Sequence, residues 1–368
     1  MCNFMKKRMI VSISLISLFV ILLVLFFQWA PQLGAKANHA ECGSFQKSKN
    51  FVEDRFVNPV PTSMNRPPNE AFRKMIQATG RRPQGMLKTY PIDRESYAVP
   101  SDSTIRLTWL GHSTLLIKID QIVLLTDPVF SKRASVVSFM GPRQFDYTHD
   151  YSIDDLPPVD LVLITHDHYD HLDYRSIKKL SERVNHFLVP LGVGAHLKKW
   201  GVPPEKIYEL DWWNEITING LTLVSTPARH FTGRRISQRF TTLWCGWAIL
   251  GSSGRLYLTG DSGYFPGFRE IGEKLGPFDL SFMECGQYSP YWPSIHMQPE
   301  ESVQAAIDSK SVRAMPIHWG KFSLSMHPWN EPPNRFRIKA QESGLSTFIP
   351  EIGKTISVRS FTEEEWWN

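Results

Sequence analysis

The stretch Thr165–Asp173 reads THDHYDHLD and places three histidines and three aspartates within nine residues. It directly follows Val159–Ile164, VDLVLI, a short and mostly apolar run that is typical of a buried strand. Imidazole nitrogens and carboxylate oxygens are common protein ligands of zinc and related metals. Because a loop that follows a buried strand is held on a rigid scaffold, this stretch predicts a metal site at the end of a strand.

Other candidate ligands also follow predicted strands. His230 comes after LTLVSTP (221–227), Asp261 comes after RLYLTG (255–260), and His318 closes RAMPI (313–317). Since the carboxyl ends of strands can meet at one edge of a layered fold, we expect these positions to converge. The predicted metal ligands are His166, His168, Asp170, His171, His230, Asp261 and His318.

This set contains seven donors, whereas a catalytic zinc ion uses about three protein ligands. Seven donors fit two metal ions that share one carboxylate. Nitrogen and oxygen donors favour two zinc ions, with iron or manganese as alternatives. The competing interpretation, surface histidines with solvated aspartates, would be preferred for an isolated HxH motif but not for this set.

The composition is that of a folded globular protein: of 368 residues, 42% are hydrophobic and 21% are charged. From Thr104 onwards, short β-rich runs alternate with helical segments; TTLWCGWAIL (241–250) is predicted to be a strand, and Asp173 is predicted to cap a helix that runs to about Glu182. This alternation predicts the α/β class, with layered sheets covered by helices on their outer faces. Residues 51–100 contain seven prolines and are expected to wrap the main domain. The predicted segments are an N-terminal helix (1–30), a linker (31–50), a proline-rich segment (51–103) and a catalytic domain (104–360).

The N-terminal region predicts a membrane anchor. Lys6, Lys7 and Arg8 precede Met9–Phe27, a run without any charge. A helix needs about 20 apolar residues to cross a bilayer, and the basic residues before the run predict a catalytic domain on the non-cytoplasmic side. The alternative is a long cleavable signal, with Ala35-Lys36-Ala37 as the cleavage site and a secreted product.

Charge and cysteine content exclude some classes of function. The formal net charge of +5 falls to +2 (5 − 3) without the three basic residues before the apolar run, and such a body predicts no nucleic-acid partner. The cysteines at positions 2, 42, 245 and 285 form no CxxC pair, so no cysteine metal site or redox motif is expected. Cys245 and Cys285 are predicted to be buried, with a disulfide between them as an open alternative. No feature indicates a particular oligomeric state.

The hexapeptide HDHYDH (166–171) resembles the HxHxDH signature of the metallo-β-lactamase superfamily, and the later ligands follow in the order of that superfamily. The resemblance implies an αββα sandwich, with two sheets inside and helices outside. It also implies that His166, His168 and His230 hold one metal ion. Asp170, His171 and His318 would hold the other, and Asp261 would bridge the two.

A second resemblance is carried by WLGHST (109–114), TDPVF (126–130), ELDWW (209–213), GPFDL (276–280), AMPIHWG (314–320) and EPPNR (331–335). These segments look like the N-acylphosphatidylethanolamine phospholipase D family, from about residue 55 to 350. The resemblance implies a zinc-dependent phosphodiesterase that hydrolyses N-acylphosphatidylethanolamine or a related phospholipid by attack of a metal-bridging hydroxide on phosphorus. Glu284 departs from the expected pattern, as a charge beside the metal ligands, and the N-terminal anchor lies outside the resemblance.

Two alternatives to a phospholipase D stay open. The same scaffold and ligands can serve a hydrolase of another ester or lactone, in which the attack is on a carbonyl carbon. A non-catalytic metal-binding protein is the other alternative, although such a protein would be expected to have lost some of the seven ligands.

The predicted catalytic residues are Asp170, Asp261 and His296. Asp170 is expected to orient the attacking hydroxide, and His296 is expected to donate to a phosphate oxygen, with a helix-flanking role as the alternative. His112 and Tyr288 are the candidate substrate-binding residues. For His112 we also expect a role in supporting a metal ligand, with turn formation as the alternative, and for Tyr288 the alternative is plain packing.

Overall fold

The computed structural model describes residues 2–35, 45–63, 68–99, 104–235, 238–359, 361 and 364–367. Its helices are α1 (Cys2–Trp29), α2 (Pro68–Gln77), α3 (Arg94–Ala98), α4 (Tyr174–Leu180), α5 (Gly194–Lys199), α6 (Gly267–Leu275), α7 (Pro299–Asp308) and α8 (Glu331–Glu342). Its strands are β1 (Phe51–Val52), β2 (Arg55–Phe56), β3 (Arg106–Trp109), β4 (Leu115–Ile119), β5 (Ile122–Thr126), β6 (Leu161–Leu163), β7 (His186–Pro190), β8 (Ile207–Leu210), β9 (Glu215–Ile218), β10 (Leu221–Thr226), β11 (Gly246–Leu250), β12 (Arg255–Leu258), β13 (Leu280–Glu284), β14 (Arg313–Ile317), β15 (Ser346–Thr347) and β16 (Thr355–Ser357).

Some predictions fall outside the described residues. Residues 36–44 of the predicted linker do so, and they include Cys42 and part of the predicted cleavage site, Lys36 and Ala37. Residues 100–103, at the end of the proline-rich segment, also lie outside. Cys245 and Cys285 are buried and free, so they form no disulfide with each other.

Two mixed sheets of seven strands form the body of the protein. The first has the order β16-β3-β4-β5-β6-β7-β8, and the second has the order β15-β14-β13-β12-β11-β10-β9. In the first sheet the pairing is antiparallel from β16 to β5 and parallel from β5 to β8. The second sheet repeats this pattern, with antiparallel pairing from β9 to β12 and parallel pairing from β12 to β15. Strands β10, β12 and β14 therefore end at the same edge.

The two faces of the second sheet are both buried. Trp247 and Phe282 belong to the core shared with the first sheet, while their neighbours Ala248 and Met283 pack in a second cluster under α6, α7 and α8. Because both faces are covered, β11 is apolar at every position and β12 and β14 at all but their first. On the first sheet, buried residues of α4 and α5 pack into the shared core. The predicted αββα sandwich is confirmed.

The structure differs from the predicted elements in several places, among them β8 and β9, which were not predicted. The strand predicted over residues 241–250 is only Gly246–Leu250, because the backbone N–H groups of Leu243 and Cys245 donate to Leu191 and Thr165 of the first sheet. Helix α8 was not predicted, since EPPNR contains two prolines. Proline is tolerated there because the N–H groups of a first helical turn have no partner within the helix.

The N-terminal apolar run forms the long helix α1. Its segment Lys7–Phe26 is long and apolar enough to cross a membrane, and it is not buried against the rest of the chain. This helix is a candidate membrane anchor, as predicted. The proline-rich segment forms the β1–β2 hairpin, α2 and α3, and none of these joins either large sheet. The division of the chain into four segments stays a prediction.

Candidate metal centre

The predicted ligands lie where the strands of both sheets end. The HxHxDH loop, 166–171, follows β6 of the first sheet. His230, Asp261 and His318 follow β10, β12 and β14 of the second sheet. The backbone N–H of Cys245 donates to Thr165, which ties the two sheets together beside this loop. The structure thus brings all the predicted ligands to one edge of the sandwich.

A first group of ligands surrounds His168. Nε2 of His166 lies 2.9 Å from Nδ1 of His168, and Nε2 of His230 lies 3.3 Å from the same atom. Oδ2 of Asp261 lies 3.8 Å from His166 Nε2 and 3.7 Å from His230 Nε2. One ligand atom from each of the four residues lies within 4.8 Å of the others, so a single metal ion could contact all of them.

A second group lies on the other side of Asp261. Nε2 of His318 lies 3.4 Å from Asp170 Oδ2 and 3.2 Å from Asp261 Oδ2. Nε2 of His171 lies 3.5 Å from Asp170 Oδ2 and 3.3 Å from Asp261 Oδ1. Asp261 therefore faces both groups, which is the position required of a carboxylate shared by two ions.

Buried polar atoms without a hydrogen-bond partner test whether metal ions fit this arrangement. Among the ligand atoms described above, His171 Nε2 and Asp261 Oδ1 are buried and have no such partner. An unsatisfied buried polar atom costs about 1–3 kcal/mol, so a protein rarely leaves several of them together. Divalent cations bind nitrogen and oxygen atoms of this kind, and the donor set therefore fits two ions.

In His171 and His230, the ring nitrogen that points away from the ligand group is held by a hydrogen bond. Nδ1 of His171 lies 2.8 Å from Asp127 Oδ2, and Nδ1 of His230 lies 2.9 Å from the carbonyl oxygen of Ile295. Donation from Nδ1 leaves a lone pair on Nε2, the tautomer that a metal ligand needs. Asp127 also accepts from the N–H of Thr165 at 2.8 Å and from its hydroxyl at 2.7 Å. Sequence reasoning missed Asp127, although its place at the end of β5, beside β6, was a usable signal.

Glu284, the unexpected charge, is a partner of two histidines. Its buried carboxylate lies 3.3 Å from His318 Nδ1 and 3.1 Å from His296 Nδ1, and it accepts from the N–H of Met297 at 2.9 Å. A buried charge is tolerated when such donors surround it. Glu284 orients His318 because β13 and β14 are neighbours in the sheet, with Glu284 paired to Ile317.

The backbone at the site adopts uncommon conformations. The φ angle is 55° at His112 and 69° at His318, and a non-glycine residue in this region costs on the order of 1–3 kcal/mol. The two turns support each other, because the N–H of His318 donates to the carbonyl of His112 at 3.0 Å. Gly286 allows a close approach here, since a Cβ atom at this position would lie 2.0 Å from the carbonyl oxygen of His318.

A model of the beta-lactamase superfamily domain matches residues 123–319. That range is more than half of the chain and contains all seven predicted ligands. The chain belongs to the beta-lactamase superfamily. The resemblance seen in the HxHxDH motif is thereby confirmed.

Individual members of this superfamily, and solved structures, resemble the chain to different extents. An uncharacterised protein of Mycobacterium tuberculosis is 41% identical over 343 residues, which cover 91% of each chain. N-acyl-phosphatidylethanolamine-hydrolyzing phospholipase D 1 of Caenorhabditis elegans is 37% identical over 237 residues, which cover 61% of this chain and 66% of that protein. Igni18, a metallo hydrolase of the archaeon Ignicoccus hospitalis, shares the fold with a TM-score of 0.54 at 20% identity, over 71% of this chain and 100% of that chain.

Membership in the superfamily defines the general activity. The protein is a metal-dependent hydrolase, and its metallo-β-lactamase fold implies divalent metal in a dinuclear site. The two groups around Asp261 supply the donors for such a site.

The histidines of the superfamily site differ in charge. Burial lowers the pKa values of His166 and His230 well below the ordinary value, so these rings are neutral. Burial also acts to lower the pKa of His318, but Asp261, Asp170 and Glu284 outweigh it and raise this pKa to about 10. A metal ion that binds His318 must therefore displace a proton, whereas one that binds His166 and His230 need not.

A cavity of about 170 Å³ opens onto the cluster. Asp170, Asp261, His296 and His318 contribute polar walls, and the apolar walls are Phe231, Trp292 and Leu324. Since pockets that bury a drug-sized ligand measure roughly 300–1,000 Å³, this cavity admits a phosphodiester or a small ester group but not long acyl chains.

The remaining predicted residues lie at different places relative to this cavity. His296 lines it. His112 is fully buried behind Asp170, with Nε2 2.9 Å from Asp170 Oδ2, so it supports a predicted ligand and does not line the cavity. Tyr288 donates its hydroxyl to Glu331 at 2.7 Å and is also absent from the cavity wall. The structure thus gives His112 and Tyr288 the contacts described above, and their roles in substrate binding stay predictions.

Proposed function

We propose that the protein is a membrane-anchored, zinc-dependent phosphodiesterase of phospholipase D type that hydrolyses N-acylphosphatidylethanolamine or a related phospholipid. The observation that carries the proposal is the position of Asp261 between the two ligand groups. The similarity to the Caenorhabditis elegans phospholipase D supports the choice of a phospholipid. In this proposal His166, His168 and His230 hold one ion, Asp170, His171 and His318 hold the other, and Asp261 is shared.

Two bound zinc ions would lower the pKa of a water molecule and neutralise charge on the phosphate oxygens. Asp170 lines the cavity, where it would accept a hydrogen bond from such a water molecule and orient it toward phosphorus. Burial, with a contribution from His318, lowers the pKa of His112 to about 3, so its ring is neutral and its Nε2–H donates to Asp170. His112 thus fixes the orientation of the Asp170 carboxylate.

His296 binds the phosphate on the opposite wall of the cavity. Its Nδ1 donates to the Glu284 carboxylate, 3.1 Å away, which leaves Nε2 for the substrate. In this proposal His296, which lines the cavity, donates from Nε2 to a phosphate oxygen. This interaction strengthens as negative charge develops on that oxygen.

Contacts between the anchor and the body support retention of the N-terminal helix over its cleavage. The carbonyl oxygen of Gln32 accepts from Nη2 and Nε of the buried Arg234 side chain, at 2.7 and 3.0 Å. The carbonyl of Pro31 accepts from Trp200 Nε1 at 2.7 Å, and Leu33 is buried. Cleavage after Ala37 would remove these acceptors and leave a buried guanidinium partly unsatisfied, which is costly. We therefore propose that the catalytic domain stays at the membrane, and the basic residues before the apolar run favour the non-cytoplasmic side.

The test uses the full chain in vesicles that contain N-acylphosphatidylethanolamine. Hydrolysis of the phospholipase D type releases phosphatidic acid and an N-acylethanolamine, and mass spectrometry detects both. Asp261→Asn should reduce the rate by more than about 100-fold, because loss of a residue that merely orients a ligand already costs 10–100-fold. Asp279→Asn, at an exposed position, is the matched control and should retain full activity.

Other outcomes distinguish the alternatives. Cleavage of lactones or carboxylic esters without cleavage of any phosphodiester would favour the other hydrolase. A metal-loaded protein that hydrolyses none of these substrates would contradict the proposed activity. Zinc is tested separately, by comparing the metal content of the purified protein with the activity restored by zinc, iron or manganese.

A further inference from the structure

The end of the anchor helix is fixed to one face of the body. Trp29 is the last residue of α1 and is 75% exposed, as expected for an aromatic residue at a membrane surface. Residues 30–35 (the stalk) follow, and the stalk carbonyls of Pro31 and Gln32 accept from Trp200 and Arg234. Since only a few residues separate the bilayer from these contacts, this face of the body lies close to the membrane surface.

A loop beside the stalk presents apolar side chains to solvent. In residues 131–144 (the 131–144 loop), two hydrogen bonds join the start of the loop to its end. The N–H of Gln144 donates to the carbonyl oxygen of Lys132 at 2.9 Å, and the N–H of Ala134 donates to that of Pro142 at 3.1 Å. Near its tip, Phe139 and Met140 are 77% and 65% exposed. Large apolar side chains that protrude together from a surface typically mark an interaction site.

A cavity shows that the loop and the stalk are neighbours. It measures about 270 Å³ and is lined by Gln32 of the stalk, by residues 131–133 and 135–138 of the loop, and by Asp173 and Arg175. The apolar tip of the loop therefore belongs to the face that the anchor holds against the membrane.

The surroundings of the loop carry uncompensated positive charge. Among the described residues, Arg133, Arg175 and Lys179 form no ion pair, whereas Lys132 is paired with Asp150. The neighbouring Asp173 is buried and accepts from the Ser131 hydroxyl at 2.9 Å, so it adds little charge to the surface. Cations around a protruding apolar tip match an anionic bilayer surface.

The same face is connected to the metal site. Nη1 of Arg234 donates to the carbonyl oxygens of Asp167 at 2.7 Å and Leu172 at 2.8 Å, which flank the ligands His168, Asp170 and His171. The 131–144 loop also follows β5, and β5 runs parallel to β6, which leads into the HxHxDH loop. The loop and the metal site thus lie at the same edge of the sandwich.

We propose that the 131–144 loop docks the catalytic body onto the bilayer that holds its anchor, with Phe139 and Met140 inserted and Arg133, Arg175 and Lys179 on anionic head groups. Docking places the small site cavity at the depth of the lipid head groups, so the acyl chains of a substrate stay in the membrane. The inference rests on the proposed anchor and not on the identity of the substrate. Because the anchor keeps the bilayer adjacent, weak contacts by the loop suffice.

The experiment measures how deeply the loop enters the membrane. The full chain carries Cys2→Ser and Cys42→Ser, since Cys245 and Cys285 are buried and free. A bimane fluorophore is attached at Met140→Cys or, as the matched control, at Val312→Cys. Val312 is 59% exposed and precedes β14, at the opposite edge of the sandwich. The protein is reconstituted in phosphatidylcholine vesicles with or without phosphatidylglycerol, and nitroxide lipids quench the fluorophore.

We expect strong quenching at position 140 in anionic vesicles and none at position 312. Neutralising Arg133, Arg175 and Lys179 to glutamine should lower the ratio of docked to undocked protein roughly fivefold for each charge removed. Phe139→Ser with Met140→Ser should slow hydrolysis of a vesicle-bound phospholipid while leaving that of a soluble phosphodiester unchanged.

Equally weak quenching at positions 140 and 312, in a protein that floats with the vesicles, would overturn the docking alone. A protein that does not float with the vesicles would overturn both the anchor and the docking. If quenching depended neither on phosphatidylglycerol nor on Arg133, Arg175 and Lys179, the proposed contacts between these cations and anionic head groups would be wrong. The quenching and flotation measurements do not depend on which lipid is the substrate.

Discussion

Replacing Asp127 by asparagine changes the partner of His171 without removing any predicted metal ligand. In the wild type, Asp127 Oδ2 accepts from His171 Nδ1 at 2.8 Å and from the Thr165 hydroxyl at 2.7 Å, and Oδ1 accepts from the Thr165 N–H at 2.8 Å. Asparagine offers one acceptor and one donor group. If its oxygen keeps the bond to the Thr165 N–H, its NH₂ group faces His171 Nδ1. His171 must then accept at Nδ1 and carry its proton on Nε2, where a metal needs a lone pair.

The size of the effect follows from the bonds that are lost. A hydrogen bond to a charged group contributes about 1.5–3 kcal/mol, and loss of an orienting partner typically costs 10–100-fold in metal affinity or activity. We expect Asp127→Asn to weaken binding of the ion held by His171 by about 10–100-fold, which corresponds to roughly 1.4–2.7 kcal/mol. The ion held by the first group should bind with unchanged affinity.

The assay is a zinc titration in competition with a chromophoric chelator, together with kcat/KM for a soluble phosphodiester. Asp160→Asn is the matched control, because the Asp160 carboxylate accepts from the backbone of Val123 at 2.8 Å and contacts none of the predicted ligands. If a folded Asp127→Asn protein bound both ions with wild-type affinity and kept its kcat/KM, the account of ligand orientation would be wrong.

Three further predictions address the site and its surroundings. In the wild type, Oε1 of Glu284 faces both histidines and Oε2 accepts from the Met297 N–H, so either orientation of a glutamine amide turns its NH₂ group toward a donor. Glu284→Gln should therefore reduce kcat/KM about 10–100-fold, and exposed Glu270→Gln should have no effect. Burial lowers the pKa of Lys321 from 10.5 to about 7, so between these pH values the unfolded chain holds a proton that the folded chain lacks, and stability rises with pH. Between pH 6.5 and 9.5 this rise amounts to about 3 kcal/mol, and Lys321→Met should remove it. Urea unfolding at these two pH values would show the loss; equal pH dependence of wild type and variant would contradict it. Removal of the metal by a chelator should lower the free energy of unfolding by about 3 kcal/mol per ion, compared with protein at a free metal concentration of 100 times Kd. An unchanged melting temperature would argue against metal binding.

The parts of the fold predicted from the sequence were those with a strong local signal. The run before the HxHxDH loop is apolar on both faces because β6 lies inside the sandwich, and Asp173 caps α4 through the N–H of Arg175, as expected. The strand predicted over residues 241–250 was too long, since hydrogen bonds to Leu191 and Thr165 hold its first half. These bonds join residues that are distant in the chain, and no local pattern shows them.

By itself, the amino-acid sequence determined the kind of chemistry and the presence of a candidate membrane anchor. Seven nitrogen and oxygen donors at strand ends predict a metal site, and an uncharged run long enough to span a bilayer predicts an anchor, because both depend on residue type and spacing along the chain. Only the tertiary structure decided that Asp261 lies between the two ligand groups and that Asp127 and Glu284 orient the histidines. It also decided that the stalk contacts Arg234 and that Phe139 and Met140 protrude beside it. These features arise from contacts between the ends of different strands, and the packing of the two sheets is what brings those ends together.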